Sequence, residues 1–328
     1  MIKLIHLTIF IFLIISIFMF LKLEPNATSS TIAFVSDARP SYATSNIILT
    51  EDFNQIIPQS PNGKVDAVVM IGDMDPINNG TINTVAAYSS STARNIPSFF
   101  AVGNHELDNP SDFPAIRSKF SSYSYHPKKG PAGTSDTTYS FDVGDIHVIV
   151  LNEYWDGGNN GACAWYAPKG RINMDDSCMK YSGTDGGYIP DGLFSWLQKD
   201  LSTNKKNWTV VGGHEVLYPQ GTNHGGDSLD ENKTNRDRLQ KLFISKNVTA
   251  FVGGHTHHAS LTTIGNVFHA DAGVFGVMAG RGAPNDNFAT IIYANVNESG
   301  YFTITKVSEN PTWSTPVNRT LTKVKATQ

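Results

Sequence analysis

Six side chains with free lone pairs stand out by type and placement: Asp37, Asp73, Asn104, His214, His255 and His257. Each follows a short apolar run, and most follow glycine. Carboxylate, amide oxygen and imidazole together suit borderline cations such as iron, zinc or manganese. Two such ions sharing one carboxylate sit about 3.5–4 Å apart, activate a water and clamp the oxygens of an in-line phosphoryl displacement. His105, next to Asn104, is placed to donate a proton to a leaving oxygen. Glycines before the donors let the backbone turn tightly beneath the ions. Taken singly the pieces are weak, because Gly-Asp after an apolar run is usually a turn and His-x-His is usually a surface feature. Their order and spacing together are specific.

The elements that must position them share one rhythm. Apolar runs at 31–36, 65–71, 98–102, 208–211 and 248–252 each break off into polar, mostly Gly-containing residues. Short, β-branched, nearly continuous apolar runs suit strands buried on both faces. Helical stretches are expected between them, at 44–57, 80–93, 112–120, 191–203 and 233–246. In the fourth, Leu193, Trp196, Leu197 and Leu201 recur at helical spacing. Alternating strands and helices imply an α/β fold, in which functional groups gather beyond the carboxyl ends of strands. Residues 137–142 and 145–152 flank Val143-Gly144 and predict a β-hairpin. His147 within it is read as a satisfied structural histidine. Residues 154–190, rich in Gly and Asn, predict an insertion loop. Runs at 260–268, 288–296 and 301–307 are expected to complete a second sheet.

Residues 4–21 run almost without polar interruption after Lys3. They predict a secretory signal within residues 1–27 or, given their length, a retained membrane anchor, with one domain over 28–328. Sequons at Asn26, Asn79, Asn207, Asn232, Asn247, Asn297 and Asn318 agree with export and with a glycoprotein. Cys163 and Cys178 are the two cysteines. In an oxidising compartment they form one short-loop disulfide worth about 3 kcal/mol in the chain-entropy model; the alternative is two free thiols. The net charge of −4 and the lack of a long basic run argue against nucleic acid as a partner. A membrane is a partner only if the N-terminal segment is retained.

The motif order resembles that of the calcineurin-like metallophosphoesterases, D-x-[HG], G-D, G-N-H-[DE], G-H and G-H-x-H. The matching residues are Asp37-Ala38-Arg39, Gly72-Asp73, Gly103-Asn104-His105-Glu106, Gly213-His214 and Gly254-His255-Thr256-His257. The resemblance implies a four-layer αββα sandwich of two mixed sheets flanked by helices. It also implies that Asp73 bridges two metal ions, that Asp37 and His257 hold the first, and that Asn104, His214 and His255 hold the second. His105 is then the general acid or a phosphate-positioning group. Within the family, purple and tartrate-resistant acid phosphatases look most similar. They carry a helix like Leu193-Phe194-Ser195-Trp196-Leu197 before the fourth motif, and a further active-site histidine about ten residues after its ligand, where this chain has His224.

The first motif departs from that pattern. Those phosphatases have Gly where this chain has Arg39 and a metal-binding Tyr where it has Pro76, and other members have His at position 39. A guanidinium has no lone pair, so Arg39 is read as a bidentate clamp on substrate phosphate beside a weakened first metal site. The expected function is hydrolysis of small phosphomonoesters. Alternatives are a phosphodiesterase on nucleotides or lipid head groups, and a catalytically weakened binding protein.

Overall fold

The computed structural model describes residues 29–38, 45–74, 83–107, 128–155, 187–221, 228–276, 288–310 and 312–324. Among the described residues, thirteen strands form two sheets. The first holds β1 (Ser30–Val35), β2 (Ala67–Ile71), β3 (Ser98–Ala101), β11 (Thr290–Val296), β12 (Phe302–Ser308) and β13 (Val317–Lys323), in the order β13-β12-β11-β1-β2-β3. Strands β1, β2 and β3 are parallel, and β11 to β13 add antiparallel.

The second sheet holds β4 (Lys128–Lys129), β5 (Tyr139–Val143), β6 (Ile146–Val150), β7 (Trp208–Glu215), β8 (Ala250–Gly254), β9 (Ser260–Ile264) and β10 (Val267–Asp271). Its order is β4-β5-β6-β7-β8-β10-β9, with β6, β7, β8 and β10 parallel. The helices are α1 (Ser45–Gln55), α2 (Asn83–Ser90), α3 (Asp191–Thr203) and α4 (Lys233–Ser245), with a short 3-10 turn at His105–Leu107.

Period-two side-chain alternation sorts each strand between layers. Ile32 and Phe34 of β1 face the second sheet, packing with Val148, Val150, Val210 and Val252. Ala33 and Val35 face the opposite way, onto Leu49, Phe53 and Ile56 of the α1 region and onto Tyr88 of α2. The outer face of the second sheet (Ile149, Val211, Phe251) is covered by Leu193, Leu197 and Leu201 of α3 and by Leu239, Leu242 and Phe243 of α4. The layers are therefore helix, sheet, sheet, helix, as the resemblance implies. Tyr139 ties the sheets at one edge: its hydroxyl donates to the Phe100 carbonyl at 2.7 Å and accepts from the Phe100 amide at 2.8 Å. This satisfies both backbone groups of Phe100 on the last strand of the first sheet.

One expectation needs correction, and one strand has no counterpart in the sequence reading. Residues 260–268 and the two later runs do not complete one sheet together. The β9–β10 hairpin joins β8 in the second sheet, whereas β11 and β12 return to β1 in the first. Strand β13 was not anticipated, because its side chains are mostly exposed and carry no apolar alternation. The predicted hairpin around Val143-Gly144 is present as β5–β6. The helix expected at 112–120, residues 1–27, and most of the insertion at 154–190 lie outside the described residues.

Candidate metal centre

The carboxyl ends of β1, β2, β3, β7 and β8 converge at one edge of the sandwich. Asp37, Asp73 and Asn104 lie just beyond the first three strands, and His255 and His257 just beyond β8. His214 differs from the sequence reading in lying on β7 itself, where the pairing with β8 shifts register between Gly212 and Glu215. Four sequence-predicted donors, Asp37, Asp73, His214 and His255, are at most 5% exposed, and Asn104 and His257 are 7% exposed.

His214 Nε2 lies 3.1 Å from Asn104 Oδ1 and 3.4 Å from Asp73 Oδ1. His255 Nδ1 lies 3.1 Å from the same Asn104 oxygen, and His257 Nε2 lies 3.2 Å from Asp37 Oδ1. Asp37, Asp73 and His214 each offer a donor atom within 4.8 Å of the others. Donors that share one ion at about 2.0–2.2 Å stand roughly 3.0–3.5 Å from one another, so these separations fit a metal site. The Ile71 carbonyl, 2.8 Å from His214 Nδ1, takes that ring N–H and leaves Nε2 as the lone pair facing the centre.

The backbone beneath the donors is strained. Asp37, Asp73, His255 and His257 have φ of 51°, 53°, 69° and 58°. Each left-handed non-glycine residue costs about 1–3 kcal/mol and persists only where its surroundings over-determine it. Among the described residues the only other such positions are two turn asparagines, Asn247 and Asn266. Gly72 has to be glycine on two counts: its φ is 75°, and a Cβ there would lie 2.6 Å from His214 Nδ1.

Buried carboxylates back the loops. Glu106 accepts from the amides of Asp73 (2.8 Å), Met74 (2.6 Å) and Gly103 (2.6 Å). Glu153 accepts from the Glu215 amide at 2.8 Å, and Asp271 accepts from Thr256 Oγ1 and from the Gly273 amide. Ser36 Oγ donates to the Ile71 carbonyl at 2.7 Å. Sequence reasoning assigned none of these a role. Glu106 was visible beside His105, while Glu153 and Asp271 carried only the faint signal of a polar residue closing an apolar run.

So many buried acids set the electrostatics. Burial, and then the charge of Asp73, push Glu106 up to about 7. Burial pushes Glu153 and Asp271 up to about 8 each. Asp37 goes the other way: burial disfavours its charge, but the His257 hydrogen bond and the charges of His214 and His257 hold it well below the usual carboxylate range. Burial would lower His214, yet Asp73 and Asp37 hold its proton well above the ordinary histidine range. That proton occupies the place where positive charge is demanded, and a cation there would displace it.

His105 sits at the rim, its side chain 27% exposed, with its amide donating to Asp73 Oδ1 at 3.0 Å and its ring Nε2 3.7 Å from Asp73 Oδ2. His147 is far from this edge; its ring nitrogens lie 2.7 Å from Asp142 and from Asp200, which supports the structural reading. Arg39, His224, Cys163 and Cys178 lie outside the described residues.

A family model for calcineurin-like phosphoesterases matches residues 30–259. Purple acid phosphatase 15 of Arabidopsis thaliana is 23% identical over 265 residues, covering 71% of this chain and 41% of that protein. Purple acid phosphatase 22 of the same plant is 27% identical over 162 residues, covering 47% of this chain and 29% of its own length. The chain thus spans less than half the length of these relatives. Among solved structures, a purple acid phosphatase from yellow lupin (Lupinus luteus) superposes with a TM-score of 0.56 at 16% identity, over 90% of this chain and 54% of that one. A dimetal phosphatase from Danio rerio superposes with a TM-score of 0.57 at 14% identity, over 90% and 99%. At such identities these structures speak to the fold alone.

Proposed function

The chain belongs to the calcineurin-like phosphoesterase family, and on that premise we propose that it hydrolyses small phosphomonoesters at a two-metal centre built by Asp37, Asp73, Asn104, His214, His255 and His257. The observation that carries this reading is the meeting of six donors from five strand ends, in contacts of 3.1–3.4 Å, on backbone held left-handed at four of them. Asp37 and His257 form one half of the donor set and Asn104, His214 and His255 the other, with Asp73 shared. Iron, zinc and manganese all accept this donor mixture. When bound, such ions supply Lewis-acid stabilisation of phosphoryl oxygens and activation of water.

The protein's own groups do the rest. His214 is oriented by Ile71 so that its free nitrogen faces the centre. Asp73, anchored at its amide by Glu106, holds the His105 amide with its Oδ1. His105 then lies at the rim, where it gives its proton to the leaving alkoxide. Arg39 and His224 are assigned to the substrate phosphate from their positions in the sequence pattern alone. Arg39 leaves the first ion with Asp37, Asp73 and His257 alone, so that ion binds more weakly.

The protein works outside the cytosol. Residues 4–21 support entry into the secretory route, and of the sequons Asn207, Asn232, Asn247 and Asn318 are exposed. Among the described residues no helix is long and apolar enough to cross a membrane.

The test is turnover of p-nitrophenyl phosphate and of bis(p-nitrophenyl) phosphate by purified protein, before and after chelation and with zinc, manganese or iron added back. Monoester hydrolysis that falls on chelation and returns with metal is expected. Faster diester turnover would replace the substrate class, and binding of phosphate without turnover in metal-loaded protein would overturn the enzymatic reading.

A further inference from the structure

The two histidines of the last motif flank Thr256, and both have left-handed backbone, φ 69° at His255 and 58° at His257. Two such residues around a single intervening position make a tight double reversal, which L-residues do not adopt unaided. Thr256 is fully buried and holds this reversal from its centre. Its amide donates to the Gly254 carbonyl at 2.8 Å, and its hydroxyl accepts from the His258 amide at 3.1 Å. The hydroxyl proton goes to Asp271 Oδ2 at 2.5 Å.

Asp271 is 1% exposed and ends β10, the strand beside β8, where it pairs with Gly253. Its second oxygen accepts from the Gly273 amide at 2.8 Å, and the Ala272 amide donates to the Gly253 carbonyl at 2.8 Å. Gly273, with φ 63°, passes so close to the chain after the histidines that a Cβ would lie 2.8 Å from the Ala259 amide nitrogen. The end of β10 is thus fastened to both sides of the His-x-His turn.

We propose that Asp271, acting through the Thr256 hydroxyl, is a positioning residue that sets both His255 and His257 for metal binding. The inference rests on the metal-centre reading above. In that reading His257 belongs to the half of the donor set with fewer protein ligands and His255 to the other half. One clamp therefore governs both, and loosening it weakens the first ion more than the second. A residue that orients a ligand without touching the ion typically changes metal affinity by about 10–100-fold when lost.

The experiment compares Thr256→Ser, Thr256→Val and Asp271→Asn with the unmodified protein by calorimetric titration of the metal-free form with Co²⁺, together with the Co²⁺ absorption spectrum and urea unfolding. Thr256→Ser keeps the hydroxyl relay and is expected to bind Co²⁺ as the unmodified protein does. Thr256→Val keeps the shape, loses the relay, and is expected to bind the weaker ion at least about tenfold less tightly, with an altered spectrum. If Thr256→Val does not fold, Asp271→Asn decides by the same readouts. Co²⁺ affinity and spectrum unchanged in the valine and asparagine variants would overturn the proposal, as would equal losses in the serine and valine variants. Failure of the unmodified protein to bind Co²⁺ would instead sink the metal-centre reading on which it rests.

Discussion

Replacing Glu106 by Gln removes one oxygen and one charge while keeping the shape. The carboxylate takes three amide protons on two oxygens, with the Asp73 and Gly103 amides on Oε2 and the Met74 amide on Oε1 at 2.6 Å. A glutamine oxygen seated at the Oε2 position keeps two bonds, now without the charge that roughly doubles their strength. Its NH₂ is then turned against the Met74 N–H. One charge-assisted bond worth about 1.5–3 kcal/mol is lost, and a buried donor left without a partner costs about 1–3 kcal/mol. The sum is roughly 2.5–6 kcal/mol, against a typical total stability of about 5–15 kcal/mol. The variant should fold, with the Asp73 turn as its weakest point because its φ of 53° depends on those bonds. Burial and the charge of Asp73 push Glu106 up to about 7; the three N–H donors oppose that shift by favouring the anion, and the loss above is that of the anion. Urea unfolding at pH 7 should show the loss, and metal titration should show weaker binding. If Glu106→Gln lay within about 0.5 kcal/mol of the unmodified protein and bound metal equally well, the side chain would be acting as a neutral acid and this account of the turn would be wrong.

His105→Ala should lower turnover by about 10²–10⁴-fold on esters with poor leaving groups and much less on p-nitrophenyl phosphate, whose leaving group needs little protonation; equal losses on both would remove the general-acid role. Asp52 is buried beside Trp313, whose indole N–H donates to it at 2.8 Å, and burial with the charges of Glu309 and Glu51 pushes it from 3.8 up to about 7. Its contribution to stability is therefore fully present below about pH 4 and is lost as pH rises to about 7. Asp52→Asn should flatten that slope. At pH 8 the variant gains about 4 kcal/mol from the gap of about three pKa units, less about 1–3 kcal/mol for an amide N–H placed where Oδ2 has no partner. Parallel stability–pH curves from urea melts would reject this. Arg39→His should raise the metal content of dialysed protein by restoring a ligand, whereas Arg39→Ala should raise KM with metal content unchanged; two equally tight ions in the unmodified protein would refute both.

Much of the candidate centre was legible locally. An apolar run followed by Gly and a donor identifies a strand end, because strand burial and left-handed turns both leave marks on neighbouring residues. Asp73, Asn104, His214 and His255 follow such a glycine, while Asp37 and His257 were added as candidates by the order and spacing of the five motifs together, and α3 was found from its leucine spacing. Which sheet a strand joins leaves no such mark. The β9–β10 hairpin and the β11–β12 pair look alike in sequence, and only their partners, β8 and β1, separate them. The supporting acids were hidden for the same reason. Glu153 and Asp271 act on the amides and hydroxyls of Glu215 and Thr256, distant in the chain, and a hydrogen bond between remote segments has no period or spacing to betray it. The sequence by itself determined the candidate donors and the strand ends that carry them. Only the tertiary structure decided the left-handed backbone at four of the donors and the buried carboxylates that hold it, because strain persists only where contacts from several strands act on one turn together.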